Sequence, residues 1–144
     1  MPLAILSVRV STKYGDLEGI TTPYTNATGP YKSISKFLGI PYAAPPIGEL
    51  RLKPPQLPNE WKPSVRQAKR HGKICLQGPE LESRIKRVTN QFEFSEDCLF
   101  LDVYSPDVSL KLPVLFYIHG GSFVAVLRCY FRGTFWLCRG WLLL

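Results

Sequence analysis

The sequence predicts short β-strands joined by turns rather than a helical bundle. Three observations point that way. Thirteen prolines and eleven glycines punctuate 144 residues, and both residue types break long regular elements. Val8-Arg9-Val10-Ser11-Thr12 alternates and is rich in β-branched side chains, the pattern of a half-buried strand. Val114-Leu115-Phe116-Tyr117-Ile118 is a continuous apolar run, as expected of a strand buried on both faces. With 45% apolar and 20% charged residues, the composition is globular and sufficient for one core.

The elements follow in order. After the first strand, Tyr14-Gly15-Asp16 is a turn and Leu17-Glu18-Gly19-Ile20 returns as a second strand. Residues 22–32 are turn-rich. Phe37-Leu38-Gly39-Ile40 is a short strand expected to stop at Pro41. Ala43-Ala44-Pro45-Pro46 and Lys53-Pro54-Pro55 lack the amide donors a central strand needs, so residues 43–63 should wrap the surface in extended form. Trp61 is expected to pack beneath that wrap. Residues 81–88 could form one or two helical turns. Leu99-Phe100-Leu101-Asp102-Val103-Tyr104 is a strand ended by Pro106, and the apolar run 114–118 leads into His119-Gly120-Gly121. From Val124 the character changes to a dense aromatic and aliphatic stretch broken by arginines, without a helical or strand period. Its large apolar side chains would be exposed unless something covers them. Residues 1–7 form an unassigned terminus, 8–123 a domain and 124–144 a divergent apolar and basic tail.

The formal charge is +7, but the basic residues are scattered, the densest local group being Lys69-Arg70-His71 with Lys73. No basic face interleaved with aromatics is present, so a solvated surface is expected and nucleic acid is not an expected partner. Four cysteines stand at 75, 98, 129 and 138 without a CxxC pair, which argues against a zinc site; no cofactor or metal is expected. Cys75 and Cys98 flank a loop rich in Glu, Arg, Asn and Gln. That suits a disulfide in an oxidising compartment, the other reading being two buried free thiols. Asn26-Ala27-Thr28 is an N-glycosylation acceptor. Together these favour the secretory route, with a secreted or extracellular membrane-face location. Met1-Pro2-Leu3-Ala4-Ile5-Leu6 is too short, and lacks the basic leader and cleavage site, to be a signal peptide. No stretch reaches the roughly 18 uncharged apolar residues of a spanning helix.

Three longer motifs occur in a fixed order. The segment from Phe37-Leu38-Gly39-Ile40-Pro41-Tyr42-Ala43-Ala44-Pro45-Pro46 through Gly48 and Arg51 is the first. Glu96-Asp97-Cys98-Leu99-Phe100-Leu101-Asp102-Val103-Tyr104-Ser105-Pro106 is the second. Leu112-Pro113-Val114 through Ile118-His119-Gly120-Gly121-Ser122-Phe123 is the third. Over residues 8 to 123 the chain resembles the type-B carboxylesterase/cholinesterase family. The resemblance implies an α/β-hydrolase fold, a mixed and mostly parallel sheet wrapped by helices. This chain would supply its antiparallel amino-terminal edge and one inner strand. It also implies a small carboxylic ester as the substrate of such a domain, with no cofactor. Cys75 and Cys98 match the family's first disulfide loop. In cholinesterases that loop carries a tryptophan that stacks on the choline cation. Here it contains Phe92 and Phe94 but no tryptophan, which lowers a choline-ester reading.

The chemistry of the His-Gly-Gly loop is plain. Ester cleavage passes through a tetrahedral oxyanion, and preorganised backbone N–H donors stabilise that charge. Glycines let backbone approach the reacting group closely. By resemblance, the amides of Gly121 and Ser122 would face the oxyanion while Gly120 shapes the turn; many relatives have a third glycine where this chain has Ser122. The nucleophile would require Ser on a G-x-S-x-G elbow, followed by an acid and then a histidine. Gly120-Gly121-Ser122-Phe123-Val124 lacks the last glycine and lies inside the oxyanion motif. The two histidines, His71 and His119, precede the only candidate serine. The expectation is therefore a fragment of an ester hydrolase that lacks its triad, is inactive by itself and does not fold stably alone. The departure after Phe123 points to a truncated coding sequence, read-through or an altered frame, the other reading being a genuine short isoform. The alternative is a fragment of a catalytically silent, neuroligin-like adhesion protein with a protein partner, which the stretch from Val10 to Gly15 and Gly29-Pro30 resemble somewhat.

Overall fold

A computed structural model of the chain describes residues 6–23, 31–88 and 93–118. Five strands form one sheet: β1 (Leu6–Thr12), β2 (Gly15–Pro23), β3 (Ser33–Pro41), β4 (Val65–Gln67) and β5 (Phe100–Ser105). One α-helix, α1 (Pro79–Val88), and one 3-10 turn (Gly48–Leu50) complete the described elements.

β1 and β2 form the hairpin that their alternation predicts, in register from Leu6↔Thr21 to Thr12↔Gly15. Its tight end requires Gly15, whose φ of +137° disfavours a side chain. A Cβ there would also lie 2.5 Å from the indole of Trp61. The strand order is β1-β2-β3-β5, antiparallel at each step, and β4 runs parallel beside β2. The sheet is thus mixed, as the resemblance implies. β2 serves two partners along one edge, with Asp16, Leu17 and Glu18 opposite β4 and residues 20–23 opposite β3.

The core lies where these pairings converge. Leu17, Phe37 and Ala68 are buried together, and Val8, Val10, Ile40, Trp61, Val103 and Val108 pack against them. The proline-rich segment crosses the surface, as expected, with little regular structure. It is fastened by Trp61, whose amide donates to the Tyr14 carbonyl at 2.9 Å and whose Nε1 donates to the Asp16 carbonyl at 2.9 Å. The Arg66 guanidinium sits over the indole, 5.7 Å from its centroid. The expected helical turns lie within α1. Glu82 caps its start by accepting the Gln77 amide at 3.0 Å.

Two expectations are corrected. The third strand begins at Ser33, four residues before the expected start at Phe37, and ends as expected at Pro41, which pairs with Phe100 at the end of the β3–β5 ladder, where a missing donor costs little. Residues 114–118 are not a buried strand. They lie outside every ladder, and Val114, Leu115, Phe116, Tyr117 and Ile118 are 53, 43, 69, 60 and 76% exposed. A strand of that composition needs pairing partners on both edges, and none of the described strands is placed to provide them. β4 went unforeseen because three residues carry no usable period.

Between Phe37 and Ile40 the β3–β5 register shifts by one residue, so β3 bulges. Gly39 occupies the bulge at φ +68°, and a Cβ there would meet the Arg70 carbonyl oxygen at 2.6 Å and the Gly72 nitrogen at 2.9 Å. Gly39→Ala is expected to destabilise the sheet by at least about 1–2 kcal/mol from the left-handed conformation alone, read as a lower urea midpoint. An unchanged midpoint would remove the bulge from the account. The exposed run is expected to drive concentration-dependent association and to bind an environment-sensitive apolar dye. Phe116→Lys should weaken both, as seen by sedimentation and fluorescence.

Candidate active site

The residues with the most specific chemical prediction, Gly120, Gly121 and Ser122, lie outside the described residues, as do His119 and the sequon at Asn26. The structure does describe the framework that leads to them. β5 ends in the fully buried Ser105. Beyond Pro106, a turn is tied by the Ser109 amide and hydroxyl, which donate to Asp107 Oδ1 at 2.8 and 2.6 Å. Those bonds hold the Asp107 carboxyl below its ordinary pKa. Val108 packs on the core beside the turn, so the apolar run departs from an anchored point.

The second framework element is the loop closed by Cys75 and Cys98, which form a disulfide with Cα atoms 4.9 Å apart. At the mouth of the loop, the Ile74 amide donates to the Glu93 carbonyl at 2.8 Å and the Ser95 amide to the Ile74 carbonyl at 2.9 Å. Just ahead of Cys98, Glu96 accepts from Arg51 Nε at 2.5 Å. That contact joins the loop to the 3-10 turn of the proline-rich wrap. Phe94 presents its ring to the Lys86 ammonium, 5.5 Å from the centroid. A cation of this chain therefore lies over one face of the Phe94 ring.

The basic group singled out in sequence is largely paired within the chain. Lys69 donates to Glu18, Lys73 Nζ lies 3.3 Å from Glu93, and His71 Nδ1 lies 2.7 Å from Asp102 Oδ2. Glu18, buried in β2, also accepts from Arg9 Nε at 2.9 Å and from the Ser7 hydroxyl at 3.1 Å. The Lys69 ammonium first, then Arg9 and Ser7, pull its pKa from 4.5 down to about 2. Burial acts the other way on Arg66, lowering its pKa by desolvation against the opposing pull of Asp97.

The His71–Asp102 pair was not foreseen, because His71 reads in sequence as part of a solvated basic group. The usable signal was its spacing, since His71 stands as far before Cys75 as Asp102 stands after Cys98. A histidine against a carboxylate is a familiar acid–base arrangement. Here, however, Asp102 Oδ1 also accepts the Gly39 amide at 2.9 Å, so the carboxylate satisfies the bulge as well as the imidazole. Among the described residues, no group of three His, Cys, Asp or Glu side chains could hold a metal ion.

The sheet, the disulfide loop and the strand-to-loop sequence at its exit define the amino-terminal part of an α/β-hydrolase esterase. The chain belongs to the carboxylesterase family, whose pattern it matches over residues 7–135. It is 40% identical over 125 residues to the medium-chain fatty acyl-CoA hydrolase precursor of Anas platyrhynchos, covering 81% of this chain and 22% of that protein. It is also 40% identical over 115 residues to the para-nitrobenzyl esterase of Bacillus subtilis, covering 79% and 21%. Among solved structures, a thermophilic para-nitrobenzyl esterase superposes with a TM-score of 0.64 at 36% identity, over 82% of this chain and 22% of that one. A carboxylesterase of Geobacillus stearothermophilus gives 0.61 at 35% identity, over 82% and 20%. The chain thus spans about a fifth of the length of the curated relatives it matches.

Because the folded pKa of Glu18 is depressed, its contribution to stability is fully present above pH 4.5 and is lost as pH falls through about 2. The urea midpoint of the wild-type chain should fall across that window. Glu18→Gln should start lower and flatten the dependence there, whereas an equal slope in both proteins would sink the assignment.

Proposed function

We propose that this chain carries the oxyanion-binding part of a carboxylic-ester hydrolase. In that reading the amides of Gly121 and Ser122 receive the negative charge of the tetrahedral intermediate, with Gly120 shaping the turn. The observation that carries the reading is the ordered set of three motifs ending in His119-Gly120-Gly121, within the span that matches the family. Names among the relatives, a fatty acyl-CoA hydrolase and a para-nitrobenzyl esterase, support an ester as the substrate class. The donors are backbone groups, so Ser122 in place of a further glycine keeps its amide available.

The same sequence contains no G-x-S-x-G elbow, and both histidines precede Ser122. A chain with oxyanion donors but no activated nucleophile retains at most the residual effects of binding and charge stabilisation. We therefore assign turnover to a complete domain and not to these 144 residues alone. The disulfide between Cys75 and Cys98 supports an oxidising compartment, secreted or at the extracellular face of a membrane, as its working environment.

The test is a chimera. Residues 8–123 replace the matching segment of the Bacillus subtilis para-nitrobenzyl esterase, and aryl-ester hydrolysis is followed by absorbance. The chimera should turn over, and Gly121→Pro, which deletes one amide hydrogen, should lower kcat by roughly 100- to 1000-fold. Undiminished turnover in Gly121→Pro would refute the oxyanion assignment. Inhibitor-sensitive hydrolysis by the 144-residue chain itself would refute the assignment of turnover to a complete domain.

A further inference from the structure

Two segments distant in sequence run past one another in opposite directions. His71 meets Asp102 at one end, at 2.7 Å. Cys75 is bonded to Cys98 at the other. Between them Gly72 lies flat on the Phe100 ring, so close that a Cβ would come within 2.4 Å of it. The step from His71 to Cys75 equals the step from Cys98 to Asp102, four residues each.

No backbone ladder joins these segments among the described residues. The Ile74 amide and carbonyl bond to Glu93 and Ser95, inside the disulfide loop, and the Tyr42 amide takes the Leu99 carbonyl. The register of one segment on the other is therefore set by side chains: the His71–Asp102 hydrogen bond, the glycine-on-ring contact and the disulfide. Asp102 is the pivot, being 8% exposed, with Oδ1 on the Gly39 amide of the β3 bulge and Oδ2 on His71.

We propose that the His71–Asp102 pair is the non-covalent half of a redox-linked clamp: it sets the register in which Cys75 meets Cys98, and the disulfide in turn holds the pair and the bulge at Gly39. Coupling of this kind is reciprocal. Whatever the His71–Asp102 hydrogen bond contributes to bringing the two sulfurs together, the closed disulfide contributes to keeping histidine on carboxylate. Reduction at the loop then reaches β3 through Asp102. His71 and Asp102 are positioning residues in this device and take no part in the thiol chemistry.

The measurement is the thiol–disulfide equilibrium of the whole chain in glutathione buffers. Cys75 and Cys98 give up two protons and two electrons as their sulfurs join; one oxidised glutathione accepts both and leaves as two thiols. Alkylation and peptide mass mapping report the oxidised fraction of this pair separately from Cys129 and Cys138. The equilibrium yields the effective concentration of one thiol at the other, which for the wild-type chain should stand well above the millimolar scale of a flexible linker. His71→Ala should lower it roughly ten-fold, the scale of one charge-assisted hydrogen bond. His71→Gln, whose amide still donates to the carboxylate, should restore most of the loss. Lys73→Ala lies between the two fasteners but pairs outside them, with Glu93, and should leave the value unchanged.

A wild-type value no higher than that of a flexible loop overturns the proposal. So does an unchanged value in His71→Ala. An equal loss in His71→Gln would show that side-chain bulk rather than the hydrogen bond matters, and an equal loss in Lys73→Ala would reduce the effect to general charge; either outcome also defeats the clamp.

Discussion

The described fold depends on β3, which like β2 pairs on both edges and which supplies the most buried large side chain. Phe37 is 2% exposed and packs with Leu17 and Ala68 at the junction of β2, β3 and the strap that follows β4. Immediately beyond Phe37 the strand bulges, and the bulge is what gives residues 66–72 a seat. The Leu38 amide donates to Ala68 at 2.8 Å, and the backbone around Arg70 and Gly72 lies against Gly39. A regular strand would carry a side chain in that space. Burial of Phe37, the extra residue and the left-handed glycine are therefore one constraint expressed at three levels.

From that seat the charges fall into place. The chain has a formal charge of +7, yet the carboxylates nearest the sheet are committed to internal partners. Glu18 gathers Arg9, Lys69 and Ser7 on one face, and Asp102 takes His71 across β5. A buried carboxylate is tolerable only with such partners. The Glu18 contacts reinforce the β1–β2 and β2–β4 pairings, whereas the His71–Asp102 contact ties two segments that no described ladder joins. Exposed pairs such as Lys53 with Glu49 and Lys62 with Glu60, both at 3.9 Å, add little by comparison.

The apolar residues divide into two populations. Those on β2, β3 and the strap are covered, whereas residues 114–118 are open to solvent. In sequence that run leads directly to the oxyanion motif, which lies outside the described residues. The chain spans 22% of the medium-chain fatty acyl-CoA hydrolase precursor and 21% of the para-nitrobenzyl esterase.

Sequence alone determined the hairpin, because alternation in β1 and a glycine at the turn leave one pairing of low energy. It determined the extended course of the proline-rich segment, because proline lacks the donor a ladder requires. It also determined the family, because three motifs in fixed order carry more information than any composition. Tertiary structure decided the rest. A three-residue β4 has no period to read. The bulge at Gly39 is legible only where the following strap lies against β3, and a histidine in a basic surface group becomes the partner of a distant carboxylate only when two segments run antiparallel. The apolar run 114–118 has the pattern of an inner strand, but pattern specifies only which faces a strand would bury; whether neighbours are present to bury them is a property of the assembled sheet.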